Sequence, residues 1–383
     1  MIYLDHAATT PMAAEVAQAM RPWLNPGAVG NASSLHGVGR RARAAVEDAR
    51  DRVAQAVGVT PLEILFTSGG TEADNTAIKG LVWAARQAGR GTKVVTTAIE
   101  HHAVIETCEW LRDHEGIAVE IVEVQTDGIV DPERLLDHVD TDTAVVSVMA
   151  ANNELGTLQP LDVLGPALAD RGVALHSDTV QAFGRIPLDL AAWQPTALAL
   201  SAHKFNGPMG VGVLVLRRDS TPHPILHGGG QERGVRSGTL NVAGIVGLGA
   251  AAELAARRQS AQSAHLQVLR DRLVADLTAI EGVALNGHPT RRLPNNVHVA
   301  VRGCDAEVLL MSLDRAGLAC STGSACQSGA AQRSHVLDAI GADQDAAHIR
   351  LSLGCDTSAE DTAQAADIFT HTLTELRGAT WHE

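Results

Sequence analysis

Val173-Ala174-Leu175-His176-Ser177-Asp178, with Gln181 three residues on, and then Ala197-Leu198-Ala199-Leu200-Ser201 running into Ala202-His203-Lys204, decide the fold. Both are short β-rich runs that end on polar, chemistry-bearing side chains. Outward from them, Thr92 to Ala98, Val119 to Val124 and Thr143 to Met149 precede, and Val211 to Leu216 follows. Helical patterns fill the intervals, an alternation that predicts an α/β fold with a mostly parallel sheet covered by helices. One covering helix is read between Arg40 and Val57, where Ala45, Val46, Ala49, Val53 and Ala56 recur at helical spacing against Arg and Asp. Another is the Ala- and Leu-rich stretch from Leu240 to about Arg258.

At 383 residues the chain exceeds what one core organises well, so two domains are expected. Residues 14–255 form the large one, and 1–13 with 256–383 a smaller α+β domain. A hydrophobic fraction of 45% with 19% charged residues excludes a disordered chain. The net charge of -14 opposes direct binding to nucleic acid, which requires clustered Lys and Arg. No basic segment leads into an apolar run at the N-terminus, and no stretch is apolar enough to span a bilayer. A cytoplasmic protein without membrane association is expected.

Between an apolar strand and a helix starting near Thr71 lies Phe66-Thr67-Ser68-Gly69-Gly70-Thr71-Glu72. Its glycines let backbone N–H groups approach an anion at the positive end of a helix, which suits a phosphate. Alone, the segment reads more readily as an ordinary glycine turn with a Thr cap. In company it says more. A carboxylate closing one strand (Asp178) and a lysine closing a later one (Lys204) are what pyridoxal 5'-phosphate (PLP) requires. The amine forms an imine with the aldehyde, and the carboxylate keeps the pyridine nitrogen protonated so that the ring accepts carbanion electrons.

These residues, together with Tyr3-Leu4-Asp5-His6-Ala7-Ala8-Thr9-Thr10, Gly30-Asn31-Ala32-Ser33-Ser34-Leu35-His36, Glu100-His101-His102, Asn152-Asn153-Glu154-Leu155-Gly156, Arg236-Ser237-Gly238-Thr239 and Arg350-Leu351-Ser352-Leu353-Gly354, span nearly the whole chain. The set resembles the NifS-like cysteine desulfurases, fold-type-I PLP enzymes of the class V aminotransferase superfamily. The resemblance implies a seven-stranded sheet in the large domain and conversion of L-cysteine to L-alanine. It implies that Lys204 bonds the cofactor, Asp178 pairs with its ring nitrogen, His101 stacks on the ring, and Gln181 and Asn152 lie near the phenolic oxygen. Gly70, Thr71, Ser201 and His203 would hold the phosphate, with Thr239 supplied by the second subunit of a homodimer. Asn31, Asn152 and Arg350 would hold the substrate, although a buried arginine paired with Asp or Glu is the ordinary alternative for Arg350.

Five cysteines, Cys108, Cys304, Cys320, Cys326 and Cys355, are scattered without a C-x-x-C pair, so neither a disulfide framework nor a metal site is expected. Cys326 stands apart. It sits in the small, polar stretch Ser321 to Ser334, read as an exposed and mobile loop that gives a structural cysteine little to pack against. A nucleophilic thiol is the better reading, and in the resembled family the cysteine of this loop accepts sulfur as a persulfide. Catalysis is thereby assigned to Lys204, Cys326 and His101. The sulfur would pass to an acceptor such as an iron–sulfur scaffold, but the chain departs from relatives at Ala32 and at Gln332-Arg333-Ser334, and it stops soon after Trp381, so their docking mode is not carried over. A selenocysteine lyase or class V aminotransferase would share the PLP residues, and a noncatalytic sulfur carrier would share the fold.

Overall fold

The computed structural model describes residues 1–323 and 333–379. Its strands are β1 (Ile2–Tyr3), β2 (Ile64–Thr67), β3 (Lys93–Thr97), β4 (Val119–Val122), β5 (Thr143–Ser147), β6 (Ala174–Asp178), β7 (Ala197–Ser201), β8 (Gly212–Leu216), β9 (Val283–Leu285), β10 (Asn296–Val301), β11 (Leu318–Ala319) and β12 (Ala347–Ser352). Seven of them form one sheet in the order β2-β8-β7-β6-β5-β3-β4, parallel throughout except that β8 runs against both its neighbours. The α/β fold with a mostly parallel seven-stranded sheet therefore stands as expected.

Parallel strands need both faces covered, and the sequence supplies near-continuous apolar runs for that purpose. Successive residues of a strand point to opposite faces. Val94 and Val145 accordingly join the core under the helices Gly70–Gln87 and His102–Glu115, while their neighbours Val95 and Val146 join the core under Leu161–Asp170. A third core packs the helices Ala14–Leu24 and Gly37–Val57 against β2, β7 and β8. The antiparallel sheet β9-β10-β12 has its own core, shared with the helices Ala306–Arg315 and Ala359–Ala379 and with Ile2 and Leu4 from the N-terminus.

The helix expected to end near Arg258 instead runs unbroken from Val242 to Thr278. Its apolar pattern lapses over Arg257-Arg258-Gln259-Ser260-Ala261-Gln262-Ser263, but no glycine or proline interrupts it, so hydrogen bonding continues where the hydrophobic signal fades. The one helix serves two cores. Ile245, Leu248, Ala251 and Ala252 pack into the first, and Leu266, Leu269, Leu273 and Leu277 into that of the small sheet.

A second difference concerns the stretch Ser321 to Ser334, expected to be exposed. Its described ends are buried: Ser321 and Ser334 are each 4% exposed. Small polar residues give no packing face, but they can be buried wherever hydrogen bonds satisfy them. Ser321 exchanges both backbone bonds with Arg350 of β12, and the Ser334 hydroxyl donates to Glu154.

Candidate active site

Six connections leave the same edge of the large sheet, the C-terminal ends of β2, β3, β4, β5, β6 and β7, where ligands of parallel α/β sheets are bound. Asp178 is the last residue of β6, and its Oδ1 accepts a 2.8 Å bond from the N–H of Val180. Burial pushes its acidity down, so its pKa is raised, while His101, the Val180 N–H and Lys204 act in the opposite sense. A buried carboxyl in that state gains from a cation placed against it.

Lys204 closes the single turn Ala202–Lys204 that follows β7. Its Nζ donates to the carbonyls of Ala7 and Ala8, both at 2.7 Å. Gln181 Nε2 reaches the same Ala7 carbonyl at 2.9 Å. The N-terminal segment is thus laced across the sheet edge by the residues expected to meet the cofactor. His101 caps the helix His102–Glu115, its Nδ1 accepting from the Ala103 N–H at 3.1 Å. That bond leaves any ring proton of the neutral form on Nε2. Burial lowers the His101 pKa, Asp178 opposes this and Lys204 reinforces it. The three groups His101, Asp178 and Lys204 are within electrostatic reach of one another.

The helix Gly70–Gln87 begins beside this trio. Gly69, at its N-cap position, contributes no side-chain cap, so its first N–H groups keep their positive end available. A Cβ at Gly70 would come within 2.8 Å of Val180 Cγ2 and 3.7 Å of Ser201 Cβ, so only glycine permits this approach between the residues after Asp178 and before Lys204. Thr71 is exposed on the first turn. His203 Nδ1 lies 3.1 Å from Thr9 Oγ1, and burial, with Lys204 and Arg185 nearby, pushes its pKa down to about 4. An uncapped helix end next to a serine and a neutral histidine, with a buried carboxyl and a lysine on the adjoining strand ends, fits a phosphorylated pyridine aldehyde.

Other expected site residues are placed differently. Arg350, in the middle of β12, donates to the Asn153 carbonyl (2.9 Å) and to Asp5 Oδ1 (2.8 Å), while its buried Nε has no partner. The ion pair with Asp5 is what the single chain shows, and a substrate carboxylate would have to share or displace it. Asn152 is fully buried and spends its amide on the backbone, with Nδ2 on the Ile99 carbonyl and Oδ1 accepting from Glu154 and Leu155. It shapes the turn that positions Asn153 and Glu154. Asn31 and Thr239 are exposed, and no hydrogen bond or ion pair among the described residues joins them to the Asp178 cluster. Cys326 lies outside the described residues. The other four cysteines all have raised thiol pKa values, with burial the largest cause, and Cys108 and Cys320 are pushed up to about 12.

Behind Asp178 the structure adds polar groups that sequence reasoning missed. Glu100 is fully buried, its Oε1 held by Met149 N–H and Thr97 Oγ1 at 2.8 Å each, and burial pushes its pKa up to about 8. Asp74 stands 3.3 Å from His176 Nε2, and Ser147 Oγ meets His176 Nδ1 at 2.8 Å. Burial lowers His176 to about 3, and burial with the nearby Asp178 and Glu100 raises Asp74, so both shifts disfavour the charged forms. Two signals were available: Asp74 falls on the apolar face marked by Ala73, Ala77 and Ile78, and His176 shares a strand face with Asp178 at spacing two. Arg185, also buried, donates to the carbonyls of Gln181 and Lys204.

Comparison with known proteins agrees with this geometry. The model of the family "Aminotransferase class-V" matches residues 2–364. An "IscS-like cysteine desulfurase" of Mycobacterium tuberculosis is 46% identical over 99% of this chain and 98% of its own length. A "Cysteine desulfurase IscS" of Methanosarcina thermophila is 43% identical over 98% of this chain and 93% of its own. A solved structure described as a NifS-like protein superposes with a TM-score of 0.90 at 36% identity, covering 98% of this chain and 99% of that one. With sequence and fold in agreement across almost its whole length, the chain belongs to the class V aminotransferase family.

Proposed function

We propose that this protein is a PLP-dependent cysteine desulfurase that converts L-cysteine to L-alanine and takes the sulfur onto Cys326 as a persulfide. The convergence of Asp178, His101 and Lys204 beside the uncapped N-terminus at Gly70 carries the cofactor half of this reading. Relatives named as cysteine desulfurases support the substrate.

Lys204 would bond the cofactor, Asp178 would face its ring nitrogen, His101 its ring, and Gly70, Thr71, Ser201 and His203 its phosphate. When bound, PLP supplies an electron sink that makes the substrate Cα proton removable. Lys204 Nζ takes that proton. Arg350 orients the substrate carboxylate, which shares or displaces the bond that its Nη2 makes to Asp5. The Cys326 thiolate then attacks the substrate sulfur: an S–S bond forms, the Cβ–S bond breaks, and its electron pair stays on Cβ, which is protonated to give the methyl of alanine. The four buried or half-buried cysteines, all with raised pKa values, are poor thiolates and leave Cys326 as the nucleophile. Thr239 from a second subunit completes the phosphate site in a homodimer, and the sulfur leaves for an acceptor protein such as an iron–sulfur scaffold, in the cytoplasm. No helix among the described residues is long and apolar enough to cross a membrane.

The test is to incubate the purified protein with L-cysteine and a thiol reductant and to measure alanine and sulfide, with Lys204→Ala as the blank. Equimolar products from the wild type and none from the blank are expected. Transamination would instead yield a keto acid without sulfide.

A further inference from the structure

Glu154 belongs to the turn after β5 and is 4% exposed. Its backbone is fixed on both sides: Asn152 Oδ1 accepts from its N–H at 2.9 Å, and its carbonyl accepts from Asn296 Nδ2 at 3.1 Å. None of the cofactor assignments uses its side chain. That side chain nevertheless meets both ends of the segment containing Cys326. On the exit side, Ser334 Oγ donates to Glu154 Oε2 at 2.7 Å. On the entry side stands Gly323, at φ +93, where a Cβ would lie 3.0 Å from the same Oε2 and 3.4 Å from His298 Nε2. One buried carboxylate oxygen is therefore where this part of the chain departs and where it returns.

The surroundings make the arrangement rigid. Gly323 N–H donates to Ser321 Oγ, and Ser321 pairs through its backbone with Arg350. On the return, His335 Nε2 meets the Glu100 carbonyl at 2.8 Å, and its ring contacts that of His102 with centroids 4.6 Å apart. Val336, Leu337 and Ile340 then pack on Ile99, Met149 and Leu155. His298 is held by Asn286 Nδ2 on its Nδ1, so its buried and unpartnered Nε2 carries the proton on the side of Gly323. Burial raises the Glu154 pKa, while the Ser334 hydrogen bond, Arg350 and His102 act in the opposite sense. The residue thus ties the Cys326 segment to the side of the site where Arg350 stands.

We infer that Glu154 is a positioning residue for sulfur transfer: by anchoring Ser334 and backing Gly323 it sets where the Cys326 segment starts and ends relative to the substrate. The inference rests on the reading of Cys326 as sulfur acceptor. A buried carboxyl that loses its hydrogen-bond partner is left unsatisfied, and the loss acts on the step in which Cys326 takes the sulfur.

The test compares Glu154→Ala, Glu154→Gln and Ser334→Ala in the PLP-loaded enzyme. Glu154→Ala should lower kcat for alanine formation by about tenfold or more while KM for cysteine stays within about threefold. Glu154→Gln keeps an acceptor oxygen at the same reach and should recover most of the rate. Ser334→Ala should lose rate as Glu154→Ala does, and the double variant should be no slower than the worse single one. Independently of turnover, trypsin should cut the Arg333–Ser334 bond faster in Glu154→Ala than in wild type. Should Glu154→Ala fail to retain PLP, Ser334→Ala and its tryptic pattern decide. Unchanged kcat and proteolysis, a change confined to KM, or a Gln variant as slow as Ala would each overturn the inference. Absence of alanine from the wild type would instead overturn the desulfurase reading.

Discussion

At the scale of single residues, the site separates holding the substrate from attacking it. Lys204, Asp178 and Arg350 stand on strand ends and in a strand, whereas Cys326 belongs to a different stretch of chain. Cys326→Ser should therefore retain PLP and bind cysteine with the wild-type spectral change, yet give no persulfide by mass spectrometry and less than about a hundredth of the alanine, because a hydroxyl stays protonated and has little affinity for sulfur. Cys320→Ser should keep near-wild-type turnover, since the Cys320 thiol is half-buried and pushed up to about 12. Alanine formation by Cys326→Ser at the wild-type rate would rule Cys326 out. Glu100 gives a pH prediction. Its pKa rises from 4.5 to about 8 in the fold, chiefly by burial, so the folded state keeps a proton that the unfolded chain releases in between. Its stabilising contribution is whole below 4.5 and is lost as pH rises through about 8. Glu100→Gln keeps the acceptor oxygen for Met149 N–H and Thr97 Oγ1 and has no proton to lose. Its Tm relative to wild type should climb between about pH 5 and 8; a pH-independent difference would mean that Glu100 is ionised in the fold.

At the scale of elements, the informative unit is a strand end joined to a helix start. Gly70 lets the helix Gly70–Gln87 begin against Val180 and Ser201, and a methyl there would sit 2.8 Å from Val180 Cγ2. Gly70→Ala should fold, at a cost of about 1–3 kcal/mol of the overpacking kind, and should weaken PLP retention in dialysis by about tenfold or more. Undiminished retention would detach the helix end from the cofactor site. The same element scale explains what the sequence made legible. Strand-end Asp178 and Lys204 and the glycine turn stood out because parallel strands are continuous apolar runs, against which a terminal polar residue is conspicuous. The lower half of the helix Val242–Thr278 was hidden because its middle turns face neither core squarely and carry Arg, Gln and Ser. Buried Ser321 and Ser334 read as loop because their partners, Arg350 and Glu154, are distant in sequence. Arg350 was visible as a candidate, but its pairing with Asp5 depends on the N-terminus crossing to the small sheet, and no local pattern encodes that.

At the scale of the whole molecule, one chain leaves two of the expected site residues outside the cluster. Asn31 and Thr239 are both exposed. Near them in sequence lie exposed apolar side chains: Leu24 (64% exposed), Val29 (59%) and Leu35 (81%) flank Asn31, and Leu226 (40%) precedes Thr239. Other exposed aliphatic groups, such as Val163, Met209 and Met311, are spread along the chain, but three within twelve residues beside Asn31 are what a protein interface would cover. The second of these segments is held firmly to the elements flanking the large sheet. Buried Glu232 takes two bonds from Arg50 and one from Phe66 N–H, and Arg236 Nε pairs with Glu72 at 2.7 Å beside the helix start at Gly70. A Thr239 so presented is fixed in place without serving its own cluster, as a residue contributed to a neighbour's phosphate site would be. Wild-type protein should therefore be a homodimer by light scattering, burying more than about 2,000 Å² as obligate dimers do. Leu35→Glu, which sets a charge among the exposed apolar groups beside Asn31, should shift it toward monomer and release PLP in parallel, whereas Thr239→Ala should stay dimeric and lose PLP several-fold faster. A monomeric wild type that holds PLP and turns over cysteine would show that each chain completes its own site, and the exposed Leu24, Val29, Leu35 and Leu226 would then need another partner.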